Sequence, residues 1–475
     1  MENIKFLSSL TTLGVVATAT PIIATSCSNS KQEITDITVN GKKIEDYKAD
    51  VGESNVYKAE NFSGKVNGKD VPITNLHIST TDSSIIPVDW NEGDNSFYVS
   101  TTNHGECKLT FTVEDKDGNK GTISSNVHVH AYVSKTYKIV KDSSGEPTKI
   151  QSIQECYECG EERTLSSEQD WNKDTDSLCK SVEELSTAVT AAYLDDQGAG
   201  TKMYRFFLEG NIGDVTTITN WPKKATIYGT ESSIVGSFNY TPTYNSSFMI
   251  FDGVLFNGTE DTCASLHIKK NSAGGINIDY LTIQNCKFDS NACMDLDSGY
   301  ATYNFTVNNC EFGKIYSNAH DHIKASCSFN WVWIYGNYFH DWYYNALQVG
   351  GDVKVSYQIE DNTFYGGEEP SDVQSGAMTL RYSPTLDTMP QIMIDRNTLY
   401  KCDRDDGGES SSHPGEGEQY KGGIMIKQNN GTSNWDFEEE FVHCSKNVHD
   451  GVELTVHIDN EHTPKWVWFS KDVAK

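Results

Sequence analysis

Between residues 256 and 454, apolar positions recur in two signatures that alternate along the chain. The first ends in Asn or Cys and places an aromatic or leucine two residues later. Its copies are Cys286-Lys287-Phe288, Cys310-Glu311-Phe312, Asn337-Tyr338-Phe339, Asn362-Thr363-Phe364 and Asn397-Thr398-Leu399, with a degenerate Asn447-Val448-His449. The second sets apolar residues around one outward position: Leu266-His267-Ile268, Met294-Asp295-Leu296, Ile323-Lys324-Ala325, Leu347-Gln348-Val349, Met378-Thr379-Leu380, Ile424-Met425-Ile426 and Val452-Glu453-Leu454. Two period-two signatures in fixed order, with turns between them, predict the coils of a parallel β-helix (a β-solenoid) over residues 181–458. Stacked coils align equivalent residues into columns. One column, Phe256, Phe288, Phe312, Phe339, Phe364 and Leu399, reads as an internal stack. Another, Cys286, Cys310, Asn337, Asn362, Asn397 and Asn447, reads as an amide ladder at a turn, with two thiols as small apolar substitutes. Ser181 to Val189 has helical spacing of apolar residues and predicts a short helix capping the open end.

Residues 34–133 carry a different pattern. Short alternating strands are separated by turns, of which Asn40-Gly41, Asn67-Gly68 and Asp117-Gly118 are the strongest, and this predicts a β-sandwich. The fold class is therefore all-β. Thr81 to Val88 together with Gly105 to Phe111 resembles the bacterial Ig-like domains of surface proteins, which implies a stalk. At the start of the chain, Lys5 precedes an uncharged apolar run from Phe6 to Ile23, a signal-peptide pattern over residues 1–26. Ala24-Thr25-Ser26-Cys27 resembles a bacterial lipobox, which implies lipidation of Cys27, a tether over 27–33 and a membrane partner outside the cell. Cleavage elsewhere, with Cys27 incidental, is the alternative. Residues 459–475 complete the chain as a terminal cap or tail.

The segment 134–180 reads as a linker with a candidate zinc knuckle. Cys156-Tyr157-Glu158-Cys159 can offer two thiolates to one zinc, with His128 and His130 (or Cys179) as further ligands. A labile disulfide and free thiols are the competing readings. His128 to Tyr132 followed by Cys156 to Gly160 also resembles a small module of bacterial surface proteins.

Chemistry on the coils begins with the outward residues. His267, Asp295, Lys324, Gln348 and Thr379 form one row, with Lys269, Asp297, Ser326, Gly350 and Arg381 two positions on. Coils stack ~4.8 Å apart, so Asp295 and Lys324 can approach, with Asp297 nearby. Lys324 could act as a base, Arg381 could assist, and the carboxylates could hold a metal or orient a sugar. An ion pair between coils is the plainer reading. Trp331, Trp333 and Tyr335 share a face opposite Val332 and Ile334, so three rings can project outward and stack on sugars, with His322 and Gln348 as further substrate contacts. Packing of these rings between coils is the alternative.

Tyr204 to Ile212, Ala225 to Gly229, Ile234 to Gly236, Asn309 to Phe312 and Val332 to Asp341 resemble the coils of pectate lyases. That resemblance implies a right-handed parallel β-helix and β-elimination on an acidic polysaccharide, with calcium in the groove. Asp295 and Asp297 fall at the family's first acidic positions. Lys324 stands where a second calcium-binding Asp is expected, Asn345 where the family has Lys, and Arg381-Tyr382-Ser383-Pro384 is a fragment of its Arg-x-Pro-x-x-Arg motif. If the chain is an enzyme, a polysaccharide lyase is favoured over a glycoside hydrolase. The rival is a non-catalytic surface adhesin or structural protein that binds a protein partner.

Charge narrows the partners. With 38 Lys+Arg against 67 Asp+Glu the formal net charge is −29, which excludes nucleic acid as a partner. The acid concentrates in the linker and in an insertion at 403–420. An anionic sugar on the coils stays compatible with it.

Overall fold

The computed structural model describes residues 31–132, 136–156, 159–164, 168–231, 233–270, 276–297, 301–316, 321–350, 353–366, 377–382, 391–400 and 402, and thereafter 424–428, 442–445, 447–449, 455–459 and 465–468. The expected signal segment, Cys27 and most of the expected tether lie outside the described residues, as does the acidic stretch 403–420. Two compact units result, one reaching Ala131 and the other beginning at Tyr132.

The first unit is built of two β-sheets. Seven strands run in the order Lys42–Lys43, Thr35–Val39, Phe62–Val66, Lys69–Thr80, Gly105–Asp115, Lys120–His130 and Tyr47–Asp50. Neighbours are antiparallel except the last pair, which is parallel. Ser54–Tyr57, Ser96–Ser100 and Val88–Asn91 form the second sheet. Alternation is clean in Gly105–Asp115, where Cys107, Leu109, Phe111 and Val113 are buried. The Tyr57 ring of the small sheet meets Phe111 of the large one at 5.5 Å between centroids. Asn67-Gly68 has positive φ at both residues (51° and 75°), the two-residue hairpin geometry its sequence predicts. The Asp117-Gly118 turn is held differently, by the Asp115 carboxylate accepting from the amides of Asp117 and Asn119 at 2.9 Å each.

The second unit is a parallel β-solenoid, and each central coil contributes three strands rather than two. Ser328–Tyr335, Tyr338–His340 and Leu347–Val349 make up one such coil. The first strand of each coil stacks in a ten-stranded parallel sheet, and the other two join a sheet of seventeen strands. The reason lies at the Asn or Cys column, which forms a corner and not a strand end. The residue before each corner takes a left-handed conformation: Asn285 (φ 54°), Asn309 (51°), Gly336 (65°), Asp361 (54°) and Arg396 (56°). Such a residue ends the strand and turns the chain.

The corner amides then bond along the axis. The Oδ1 of Asn362 accepts from the backbone N–H and the Nδ2 of Asn337 at 3.0 and 2.9 Å, and Asn397 and Asn447 repeat the pattern. Each Nδ2 also donates to a carbonyl of the preceding coil, as Asn362 does to Ile334 at 2.9 Å. Cys310 takes the next step, its N–H donating to Asn337 Oδ1 at 2.9 Å, and Cys286 N–H faces Cys310 Sγ at 3.4 Å. Beneath the ladder runs the phenylalanine stack. Phe256, Phe288, Phe312, Phe339 and Phe364 lie 4.6–4.9 Å apart, with interplanar angles of 4–17°.

The open end is closed by the helix Val182–Asp196. Ser181 caps it by accepting from the Glu184 amide, and Leu185, Val189 and Ala192 join the solenoid core. Residues 136–170, expected as linker, hold four strands (Thr136–Lys141, Pro147–Glu155, Glu162–Thr164 and Gln169–Asp170). Tyr137 and Ile150 pack there with Phe207, and Tyr137 OH donates to Asp252 Oδ2 at 2.6 Å. Lys465–Trp468 folds back antiparallel on Thr455–Asp459.

Asn362→Ala should be among the most damaging single substitutions in the solenoid. It leaves the Asn337 N–H and one Asn337 Nδ2 hydrogen without their acceptor and takes a donor from the Ile334 carbonyl in a dry interior, a loss of about 3 kcal/mol or more. Urea unfolding of the full chain checks this, with the exposed Trp331→Ala as the control expected within about 1 kcal/mol of the parent.

Candidate functional site

The outward face of the ten-stranded sheet is organised by register. Ser328–Tyr335 alternates as expected, with Val332 and Ile334 buried in the core. Trp331, Trp333 and Tyr335 project outward and are 41%, 48% and 38% exposed. Their neighbours on the preceding coil are Asn304, Thr306 and Asn308, and on the following coil Ser356, Gln358 and Glu360. Asn308 Nδ2 donates to Tyr335 OH at 2.9 Å, which orients the phenol. Two coils back in the Trp331 column stands Tyr280, also outward, stacked on Phe248 at 4.6 Å. Sequence reading missed Tyr280 and Phe248, since only the strand register puts them in the tryptophan column. Rings flanked on the adjacent coils by Asn304, Thr306, Asn308, Gln358 and Glu360 (Ser356 is buried) make a surface on which a flat apolar face stacks while its edges find hydrogen-bond partners.

The proposed catalytic residues lie on the other sheet. His267, Asp295, Lys324, Gln348 and Thr379 do form one register column on the seventeen-stranded sheet, and Asp295 stands directly opposite Lys324. No ion pair joins these two among the described residues. Asp297 instead bonds His267, with Nε2 to Oδ1 at 2.8 Å, and accepts from the Lys270 amide at 3.1 Å. Burial pushes the Asp297 carboxyl up, but His267, the Lys270 amide and Lys269 outweigh it and hold it below the usual carboxylate range. Asp295 is not drawn into a three-ligand cluster with His267 and Asp297. Lys324 is exposed. Arg381 lies in the strand Met378–Tyr382, paired with Lys427. Lys324 and Asp295 therefore do not share a strand face with the tryptophans, because the corner between Tyr335 and Tyr338 turns the chain from one sheet to the other.

His322 is not a surface contact. It is fully buried, its Nε2–H donates to the Gly313 carbonyl at 2.8 Å, and it packs between Phe312 and Trp342. Burial lowers its pKa to about 3, so the imidazole is neutral. Nearby His340 is the opposite case. Burial disfavours its charge, yet the hydrogen bond to Asp341 (2.8 Å) and the facing carboxylate of Glu311 (3.7 Å) prevail and raise it to about 9. The Glu311 carboxylate is fully buried with no hydrogen-bond partner among the described residues, and of these Lys287 at 3.9 Å and His340 at 3.7 Å face its charge.

The candidate metal ligands divide between the units: His128 and His130 belong to the first, Cys156 and Cys159 to the second. His128 and His130 rings lie 4.2 Å apart. Cys156 is buried and Cys159 exposed, on a tight turn in which the Gly160 amide donates to the Cys156 carbonyl at 2.8 Å. Cys179 belongs to the solenoid core, where burial pushes its thiol up to about 12.

No protein-family model matches the chain, and no curated protein matches it. Among the described residues, no helix is long and apolar enough to cross a membrane.

The two histidines bracket the pH range of stability. His340, raised above its unfolded value near 6.5, stabilises fully below about pH 6.5, and this is lost as pH rises through about 9. His322, lowered, stabilises above about pH 6.5, and this is lost as pH falls toward about 3. Urea midpoints measured from pH 5 to 10 should fall on the alkaline side, and His340→Gln should flatten that limb while leaving the acid limb in place.

Proposed function

We propose that the protein is a membrane-anchored extracellular lipoprotein whose solenoid binds polysaccharide on the aromatic face of its ten-stranded sheet. The observation that carries this reading is the outward row of Trp331, Trp333 and Tyr335, each more than a third exposed and bordered in register by Asn, Thr, Ser and Gln. Large rings left in water at regular spacing, with amides at their edges, suit a ligand that is flat, hydroxylated and repetitive. The lipobox-like Ala24 to Cys27 supports the anchor, and two acyl chains would hold it stably. The first unit, with its two mostly antiparallel sheets, is read as an immunoglobulin-like stalk.

Binding is favoured over cleavage because the best acid and base candidates, Asp295 and Lys324, lie on a different sheet from the rings. The test is a panel of neutral and acidic polysaccharides, with and without calcium. Retention on at least one neutral or acidic glycan is expected, and Trp331→Ala with Trp333→Ala should weaken it by roughly tenfold or more, with the fold unchanged by circular dichroism. New ultraviolet absorbance from unsaturated ends, lost in Lys324→Ala and Asp295→Ala, would make the protein a lyase. If nothing in the panel is bound or cleaved, the carbohydrate reading fails and a protein-binding adhesin takes its place.

A structural zinc on Cys156 and Cys159 belongs to the same reading. Supporting it are the tight Cys-x-x-Cys-Gly turn and its left-handed Gly160 (φ 68°), which carries the chain back toward the first thiol. Elemental analysis of purified protein should find close to one zinc per chain. Less than about 0.3 per chain, or the same content in Cys156→Ser, would end that assignment.

A further inference from the structure

Cys263 and Cys293 occupy neighbouring coils of the seventeen-stranded sheet. Cys263 is the residue before the strand Ala264–Ile268, and Cys293 is the second residue of Ala292–Leu296. The strands pair with Ala264 opposite Ala292 and Ser265 opposite Cys293, so the two thiols meet on a diagonal. Their sulfurs lie 3.2 Å apart and share a hydrogen bond. Among the described cysteines of the coils, Cys263 alone is not buried, while Cys293 is 3% exposed.

The remaining coil thiols lack this combination. Cys286 and Cys310 are close neighbours too, but both are fully enclosed in the core at the corner column. Their sulfurs rest on the carbonyls of Gln284 at 3.3 Å and Asn308 at 3.4 Å. No reagent reaches them without opening the coil.

We propose that Cys263 and Cys293 form a redox-modification site, oxidised by a small disulfide to an intercoil disulfide that staples two turns of the solenoid. Cys263 is the attacking group. Its accessible thiolate displaces one thiolate from the oxidant and leaves a mixed disulfide on Cys263. Cys293, on losing its proton, attacks the Cys263 sulfur and expels the second thiolate. Two protein thiols lose two electrons and two protons, one S–S bond forms, and the oxidant's disulfide becomes two thiols. The order of events follows from access, since Cys263 is part-exposed and Cys293 is buried, and local electrostatics point the same way. The hydrogen bond from Cys293 lowers the pKa of Cys263, against burial and the Asp295 charge, whereas that same bond and burial push Cys293 well above the ordinary range. Closing the gap asks for about 1.1 Å of approach to a bond of about 2.05 Å, within reach of side-chain rotation. The bond would close the loop from Cys263 to Cys293 and so hold the turn beside the Asp295 column. This inference is independent of the ligand the aromatic face binds.

The test treats the reduced full chain with oxidised glutathione, blocks remaining thiols by alkylation, and maps the digest by mass spectrometry. A peptide pair joined through Cys263 and Cys293 is expected, reversed by dithiothreitol, with two fewer alkylated cysteines per chain. The oxidised chain should melt roughly 5 °C higher than the reduced one, a difference absent in Cys263→Ser and, independently, in Cys293→Ala. Glutathione retained on Cys263 without the cross-link overturns the proposal. So does a cross-link spread over other cysteines, or an oxidised chain that melts no higher.

Discussion

The solenoid depends on one repeated contact, the corner amide that accepts the N–H of the coil before it. A parallel coil must turn three times, and every turn threatens to bury a backbone donor without a partner. At the first corner, a left-handed residue bends the chain and exposes one N–H along the axis. The Asn side chain of the next coil accepts it and passes its own Nδ2 to carbonyls of the coil before. Each copy therefore needs its neighbour, and the interaction runs through Asn337, Asn362, Asn397 and Asn447 without a break. The phenylalanine stack beside it adds apolar contact at nearly the same repeat. Together they set the register, and the register decides which side chains can share a surface.

That constraint explains the separation of chemistry in the second unit. A side chain on one sheet cannot join a site on the other by being near in sequence, because the corner intervenes. Trp333 and Lys324 are nine positions apart, yet they belong to different sheets. Residues many positions apart, such as Tyr280 and Trp331, share a column. The three exposed rings accordingly belong to one strand of one coil, with Tyr280 two coils back in the Trp331 column, whereas the row of His267, Asp295 and Lys324 on the other sheet forms no metal-sized cluster among the described residues.

Much of the fold was legible because stacking makes repeats visible in one dimension. Asn337, Asn362 and Asn397 could be aligned by eye, and the alternation around Val332 and Ile334 placed Trp331 and Trp333 outward correctly. What the pattern hid was the third strand of each coil, since Asn followed by an aromatic reads as one strand end when it is a corner flanked by two strands. Segment 134–180 misled for a different reason. Its many charges mark the surface of a small sheet, and Tyr137 and Ile150, buried with Phe207, are too few to produce a periodic signal. His322 shows the same limit at a single residue. Next to Asp321 and two short of Lys324 it looks like a groove residue, but alternation within Ile323–Ala325 sends Lys324 outward while the turn before the strand drives His322 inward onto Phe312.

Cysteine usage follows from the same geometry. A thiol at a corner, as in Cys286 or Cys310, fills the space of an amide without its donors, so the ladder weakens to sulfur contacts of 3.3 to 3.6 Å while the stack of Phe256, Phe288 and Phe312 continues beneath. Such a thiol is shielded by every coil around it, and burial keeps Cys286 protonated. Cys263 differs because it precedes its strand, where the chain is still crossing the surface and a side chain can face both water and the next coil. Proximity between coils is common to all of these sulfurs. Access is not, and access is what separates a core substitute from a reactive pair.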